Sequence, residues 1–143
     1  MLKKTTTYID FMGNKRTEDH YFNLTQSELT KLSLSVNGGL DKMLEAMIRE
    51  QDQATLMKWF EKIILMSYGK RSLDGRRFEK SEEISREFSQ TGAYDQIFME
   101  LVTGGEQVVA DFINGIIPKN VAEQVEQAQK DGKVPTVSEI TGM

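Results

Sequence analysis

The chain has 143 residues, with 18 Lys and Arg against 22 Asp and Glu, one His, two Pro and no Cys. That length is enough for one compact domain with a core that needs no disulfide or metal staple. The missing Cys excludes thiol catalysis, disulfide scaffolds and Cys-ligated zinc or iron–sulfur centres, the single His leaves no His-rich metal site, and a net charge of −4 argues against a general nucleic-acid binder.

Met1-Leu2-Lys3-Lys4 is a basic start, but Thr5-Thr6-Thr7-Tyr8 follows where a secretory signal would be apolar. The longest apolar run, Ile63-Ile64-Leu65-Met66, falls far short of the roughly 20 residues that span a bilayer. A cytosolic chain with no membrane association is expected.

Residues 5–24 have the composition of a hairpin. Thr5 to Phe11 and Asp19 to Leu24 are rich in β-branched and aromatic types, and Met12-Gly13-Asn14-Lys15-Arg16 supplies a Gly-Asn turn. Alternation places Ile9 and Phe11 on one face of the first strand, and His20, Phe22 and Leu24 on one face of the second. Because a lone hairpin is marginal in water, that face is expected to pack on the rest of the chain.

The period then changes from two to 3.6. Thr25-Gln26-Ser27-Glu28 is a capping box, in which the Thr25 hydroxyl accepts from the Glu28 amide and the Glu28 carboxylate accepts from the Thr25 amide. The helix it starts carries Leu29, Leu32 and Leu34 and stops before Asn37-Gly38-Gly39. A second helix runs from about Leu40 to Gln51, with Leu40, Met43, Leu44, Met47 and Ile48 on one stripe. Asp52 caps a third, whose stripe is Leu56, Trp59, Phe60, Ile63, Ile64 and Ser67, and Gly69 suits a left-handed helix end. The last two pair antiparallel in this reading, with Trp59 and Phe60 at the centre.

Residues 69–80 are polar around an Asp74-Gly75 turn signal and read as a loop or small hairpin anchored by Phe78. Ser81-Glu82-Glu83 opens a helix with Ile84 and Phe88 on its inner edge. After the break at Thr91-Gly92, a helix from about Ala93 to Val102 turns Tyr94, Ile97, Phe98 and Leu101 inward. After Gly104-Gly105, another from about Glu106 to Ile116 turns Val108, Val109, Phe112, Ile113 and Ile116 inward, and Pro118 closes it. The expected architecture is mainly α (α+β): an N-terminal β-hairpin followed by a compact bundle of five to six helices. Residues 1–118 form the folded domain, with the hairpin over about 5–24 and helices over about 26–117. Residues 119–143, with Val121, Val125 and Ala128 as a thin stripe, read as a weakly ordered short helix and a flexible tail.

No arrangement of catalytic residues is visible. His20 beside Glu18 and Asp19 reads as structural, because strand neighbours face opposite ways. Glu82, Glu83, Glu87 and Glu100 read as solvated helix faces rather than an acid–base pair. Gly69-Lys70-Arg71-Ser72 lacks the upstream Gly and preceding strand of a phosphate loop. Lys70, Arg71, Arg76, Arg77 and Lys80 form a basic cluster that reads first as a solvated loop. No cofactor or metal is implied, and the chain is not expected to be an enzyme. The eight Met residues suit adaptable apolar contacts. Met43, Met47, Met57, Val121 and Val125 are the candidate partner-binding residues.

Four strings resemble tail assembly chaperones from long-tailed bacteriophages of Gram-positive hosts. They are Tyr8 through Leu29 (YIDFMGNKRTEDHYFNLTQSEL), Tyr68-Gly69-Lys70-Arg71-Ser72 with Gly75-Arg76-Arg77-Phe78, Phe88 through Tyr94 (FSQTGAY), and Phe112 through Pro118 (FINGIIP). The similarity spans about residues 8–118. It implies a non-catalytic chain that binds the tape measure protein, keeps it soluble in the host cytoplasm while the tail tube assembles, and is absent from the mature virion. It also implies a longer form made by programmed frameshifting, expected at Gly132-Lys133, that recruits tail tube protein; self-association is left open. Alternatives are a structural tail protein (a tube or completion subunit), which should be rich in long strands, and a small nucleic-acid-binding regulator using residues 70–80.

Overall fold

A computed structural model describes residues 1–35 and 52–118 of the chain. The elements are β1 (Leu2–Ile9), β2 (Lys15–Phe22), α1 (Gln26–Ser35), α2 (Gln53–Ser67), β3 (Tyr68–Arg71), β4 (Phe78–Glu79), α3 (Glu82–Ser89), α4 (Gly92–Thr103) and α5 (Gly105–Ile116). The expected order of an N-terminal hairpin followed by helices is present. The helix expected over 40–51, its pairing with α2, and the C-terminal segment from 119 lie outside the described residues.

β1 and β2 pair antiparallel from Leu2↔Phe22 to Ile9↔Lys15. The hairpin starts three residues earlier than its composition suggests, and this changes which face is buried. Thr6 is buried and Leu2, Lys4 and Tyr8 are half-buried, whereas Lys3, Thr5, Thr7 and Ile9 face solvent. The expected inward pair Ile9 and Phe11 is therefore corrected: Ile9 lies on the open face, and Phe11 lies in the turn. On β2 the expected face holds, with His20 and Phe22 buried and Leu24 buried just beyond the strand.

The capping box forms as read. The Thr25 amide donates to Glu28 Oε1 at 2.9 Å, and the Glu28 amide donates to Thr25 Oγ1 at 3.2 Å. Glu28 Oε2 also accepts from Lys80 Nζ at 2.7 Å, and the same ammonium donates to the Asn23 carbonyl at 2.6 Å. Lys80 thus belongs to an internal lock, not to the free basic cluster. Burial would raise the Glu28 pKa, but the hydrogen bonds from Lys80 and Thr25 outweigh it and hold the carboxyl below its ordinary range.

α2 buries Phe60, Ile63, Ile64 and Ser67, with Leu56 and Trp59 packed at the margin of the core. Trp59 is half-buried at the margin of the core, with the Lys62 ammonium 5.6 Å from its ring centroid. Gly69 does not end this helix in a left-handed conformation. α2 passes directly into β3 at Tyr68, whose amide still donates to the Ile64 carbonyl. Ser67 Oγ donates to the Ile63 carbonyl at 2.6 Å, and the Ser67 carbonyl accepts from the Asn23 amide at 2.8 Å. Gly69 lies inside β3 opposite Tyr21. A Cβ there would come within 2.7 Å of the Phe78 ring and 2.9 Å of the Glu79 carbonyl.

Residues 69–80 form the small hairpin, with Lys70↔Glu79 and Arg71↔Phe78 paired. It adds to the first hairpin through Tyr21↔Gly69 and Phe22↔Tyr68, giving one antiparallel sheet in the order β1-β2-β3-β4. Side-chain caps start the next helices: Ser81 Oγ accepts from the Ile84 amide at 3.0 Å, and Thr91 Oγ1 from the Tyr94 amide at 3.1 Å. The helices cover one face of the sheet, and the other face is open to water.

Aromatic rings join the two layers. Tyr68 and Phe88 stack with centroids 3.8 Å apart and planes 3° from parallel. Phe22 meets Tyr68, Phe88 and Phe112 edge-on at 5.7, 5.9 and 5.4 Å. The Leu24 amide donates to the Ile116 carbonyl at 2.6 Å, tying the base of the sheet to the end of α5. Beyond β1, Gln96 of α4 donates to the Thr7 carbonyl at 3.0 Å, and Lys4 pairs with Glu100 at 2.6 Å. α4 therefore covers the outer edge of β1.

Two substitutions test this arrangement. Gly69→Ala should destabilise the chain by about 1–3 kcal/mol through overpacking against Phe78 and the Glu79 backbone. Phe88→Ala should cost about 3–5 kcal/mol by opening a cavity at the aromatic junction. Denaturant midpoints at constant slope check both.

Candidate functional site

The sequence places its best side chains for contact at the end of the sheet. Asp10-Phe11-Met12-Gly13-Asn14 makes a tight turn in which the Gly13 amide donates to the Asp10 carbonyl at 3.0 Å and the Asp10 amide to the Asn14 carbonyl at 2.8 Å. Gly13 takes φ of +86°, a conformation an L side chain rarely adopts. One oxygen of the Asp10 carboxylate accepts from the amides of Met12 and Asn14, each at 2.9 Å, and the other pairs with Arg16. The Arg16 guanidinium and these amides hold the Asp10 carboxyl below its usual range. With the backbone fixed, Phe11 and Met12 occupy the two central positions of the turn and are 88% and 86% exposed. Their exposure is built in: this turn leaves no core for them to reach.

β2 runs away from this turn and β3, antiparallel to it, runs back. The turn of the second hairpin is therefore at the same end of the sheet. It is fixed in the same way, by Asp74 Oδ1, which accepts from the Ser72 hydroxyl at 2.7 Å and the Arg76 amide at 3.0 Å. Leu73 at its tip is fully exposed. The first ribbon overhangs the second by about four residues, or roughly 14 Å at the usual strand rise. Between them lies a groove of about 650 Å³, lined by Asp19, His20 and Tyr21 on one side and residues 68–75 on the other.

The residues singled out for chemistry are held in structural roles. His20 Nε2 lies 3.0 Å from the buried Thr6 hydroxyl, and its ring packs 5.4 Å from Phe88. Burial lowers its pKa, against the opposing charges of Glu18 and Asp19. Glu82, Glu83 and Glu87 are exposed, and Glu100 pairs with Lys4. Among the described residues, no group of three or more His, Asp or Glu is placed to hold a metal ion, and no helix is long and apolar enough to cross a membrane. Of the candidate partner-binding residues, Met43, Met47, Val121 and Val125 lie outside the described residues. Met57 is on α2 and 39% exposed. The structure adds Phe11, Met12 and Leu73. The sequence places Phe11 on the first strand and Met12 in the turn; Asp10, followed three residues later by Gly13, is the local signal that marks both as turn tips.

Exposed apolar tips on rigid turns beside a groove suit a domain that binds another protein chain. The chain belongs to the phage tail assembly chaperone family, whose model matches residues 1–142. No curated protein and no solved structure gives a significant match. Membership supports a chaperone role in phage tail assembly, with phage tail proteins as partners.

The buried His20 gives a pH test. With its folded-state pKa below the ordinary 6.5, the unfolded chain takes up the proton first. Its contribution is complete above pH 6.5 and is lost as pH falls from 6.5 through the lower folded value. Glu28, also lowered in the fold, adds its loss only below its ordinary 4.5. His20→Gln should flatten the upper part of the acid decline and leave the lower part, as read from denaturant midpoints across the two windows.

Proposed function

We propose that this chain binds the tape measure protein and keeps it soluble in the host cytoplasm until the tail tube assembles around it. The observation that carries the reading is the pair Phe11 and Met12, held almost fully exposed on a turn that the Asp10 carboxylate makes rigid. Adjacent on a rigid turn, the two side chains make one apolar contact patch rather than scattered exposed residues. Leu73 extends apolar contact at the same end of the sheet, and Met57 offers a second, adaptable site on α2. An aromatic ring and a thioether can cover apolar side chains on a helix without demanding one sequence, as a chaperone requires. Net negative charge over the whole chain keeps the complex in solution. The chain does its work before the tail is complete and does not remain in the finished particle. A frameshifted longer form would bring tail tube protein to the same complex.

Co-expression with the tape measure gene of the same phage is the test. The chain should move most tape measure protein into the soluble fraction, and Phe11→Ser/Met12→Ser should lose most of that effect while its thermal midpoint stays within about 2 °C of the parent. Unchanged solubility of the tape measure protein with the parent chain would overturn the reading. Mass spectrometry of purified particles should recover tail tube protein and not this chain.

A further inference from the structure

β2 pairs with β3 only at Tyr21 and Phe22. β3 then parts from β2, while its Lys70 and Arg71 stay paired with β4 on the other side. The alternation of an antiparallel ladder shows what is left open. Asp10 bonds to Asn14 across the first turn, and the Asn23 amide bonds to the Ser67 carbonyl. Even-numbered residues of β2 therefore direct their N–H and C=O to β1, and odd-numbered ones direct theirs to the opposite edge. Along that edge Asn23 and Tyr21 are met, whereas Lys15, Thr17 and Asp19 are met by no strand among the described residues. The far edge of β1 has α4 against it, whereas β2 beyond Tyr21 carries an open edge five residues long, from Lys15 to Asp19, longer than the two-residue β4 at the other end of the order.

Cations outnumber carboxylates around the open edge. Lys15, Lys70, Arg71 and Arg76 are all exposed around it. Lys15, Lys70 and Arg76 make no ion pair among the described residues, and Arg71 lies over the Tyr21 ring at 3.9 Å. The groove holds two carboxylates, Asp19, which accepts from the Thr5 hydroxyl, and Asp74, which is bound within its own turn, against these four cations. In a chain of net charge −4, this is a local reversal of sign. Unpaired backbone groups at a strand spacing select an extended peptide, and the cations select an acidic one.

We propose that the open edge of β2, over Lys15 to Asp19, together with the basic turn beside it, receives an extended acidic segment of a partner protein as an added strand. This is separate from the tape measure reading, which rests on Phe11 and Met12, and either can fail without the other. A nucleic acid would use the cations but has no strand backbone to match the edge.

Fluorescence anisotropy with the full chain tests it, using a labelled eight-residue peptide that alternates Glu and Val. A Lys-Val peptide of the same length and a single-stranded oligonucleotide serve as the other arms. The Glu-Val peptide should bind and slow amide exchange at Thr17 and Asp19. Lys70→Glu/Arg76→Glu should weaken it by at least about tenfold. Thr17→Pro, which removes an edge N–H without breaking a backbone bond to β1 and gives up only the exposed hydroxyl contact with Thr7, should do the same. The charge variant changes only exposed side chains, so the test stands even if the proline variant does not fold. No binding of the Glu-Val peptide, equal binding of the Lys-Val peptide, oligonucleotide binding in its place, or binding without protection at Thr17 and Asp19 would each overturn the proposal.

Discussion

The fold depends on the place where α2 becomes β3 without an intervening loop. Ser67 closes the helix by bonding its hydroxyl back to the preceding turn, and its carbonyl takes the Asn23 amide from the end of β2. The next residue, Tyr68, is already a strand residue, with its ring stacked on Phe88 and meeting the edge of Phe22. One dipeptide thus sets the second hairpin against the first and the helices against the sheet. β3 has only four residues before its turn. It cannot follow β2 to the tip, so the first ribbon is left to project beyond its neighbour.

That projection separates two duties that usually conflict. Stability resides at the base, where Phe22, Tyr68, Phe88, Phe112 and Ile116 are buried. The far end contributes little to the core and can keep apolar side chains in water. Each turn there is stiffened by one Asp, Asp10 accepting two backbone amides and Asp74 one amide and the Ser72 hydroxyl, so the backbone under the exposed residues is already ordered. The open face of the sheet is polar, with Thr5 bonded to Asp19 and Thr7 to Thr17 across the ribbon. The greatest apolar exposure, at Phe11, Met12 and Leu73, is at the tips rather than spread over a face that would aggregate.

Much of this was legible in the sequence where the signal was local. The Thr25–Glu28 box, the Ser81 cap and the stripes of Phe60, Ile63 and Ile64 or Val109, Phe112 and Ile113 need only neighbours three or four residues away. Non-local pairing decided the rest. Gly69 has the composition of a helix end, yet its backbone is extended because Tyr21 pairs with it and Phe78 lies where a Cβ would be. Ile9 and Phe11 outweigh Thr6 and Tyr8 in hydropathy, but the pairing that starts at Leu2 buries the even positions, and Thr6 is compensated by His20. The projecting tip was hidden for the same reason: alternation puts Phe11 on an inward strand face with Ile9, and only the turn geometry brings it out beside Met12.

The bond from Lys80 to Glu28 spans 52 positions and carries a consequence for the order of events during synthesis. The first hairpin and the Thr25–Glu28 cap use neighbours within some twenty residues and are complete in sequence early. At ordinary elongation rates Lys80 follows Glu28 by roughly 3–10 s. Through that interval the ribbon, with Phe11 and Met12 at its tip, can form while the surface it will rest on is still being made. The projecting ribbon is thus among the first parts of the chain to be complete in sequence, and the bonds that fix it to the body, to Lys80 and then to Gln96, Glu100 and Ile116, come after.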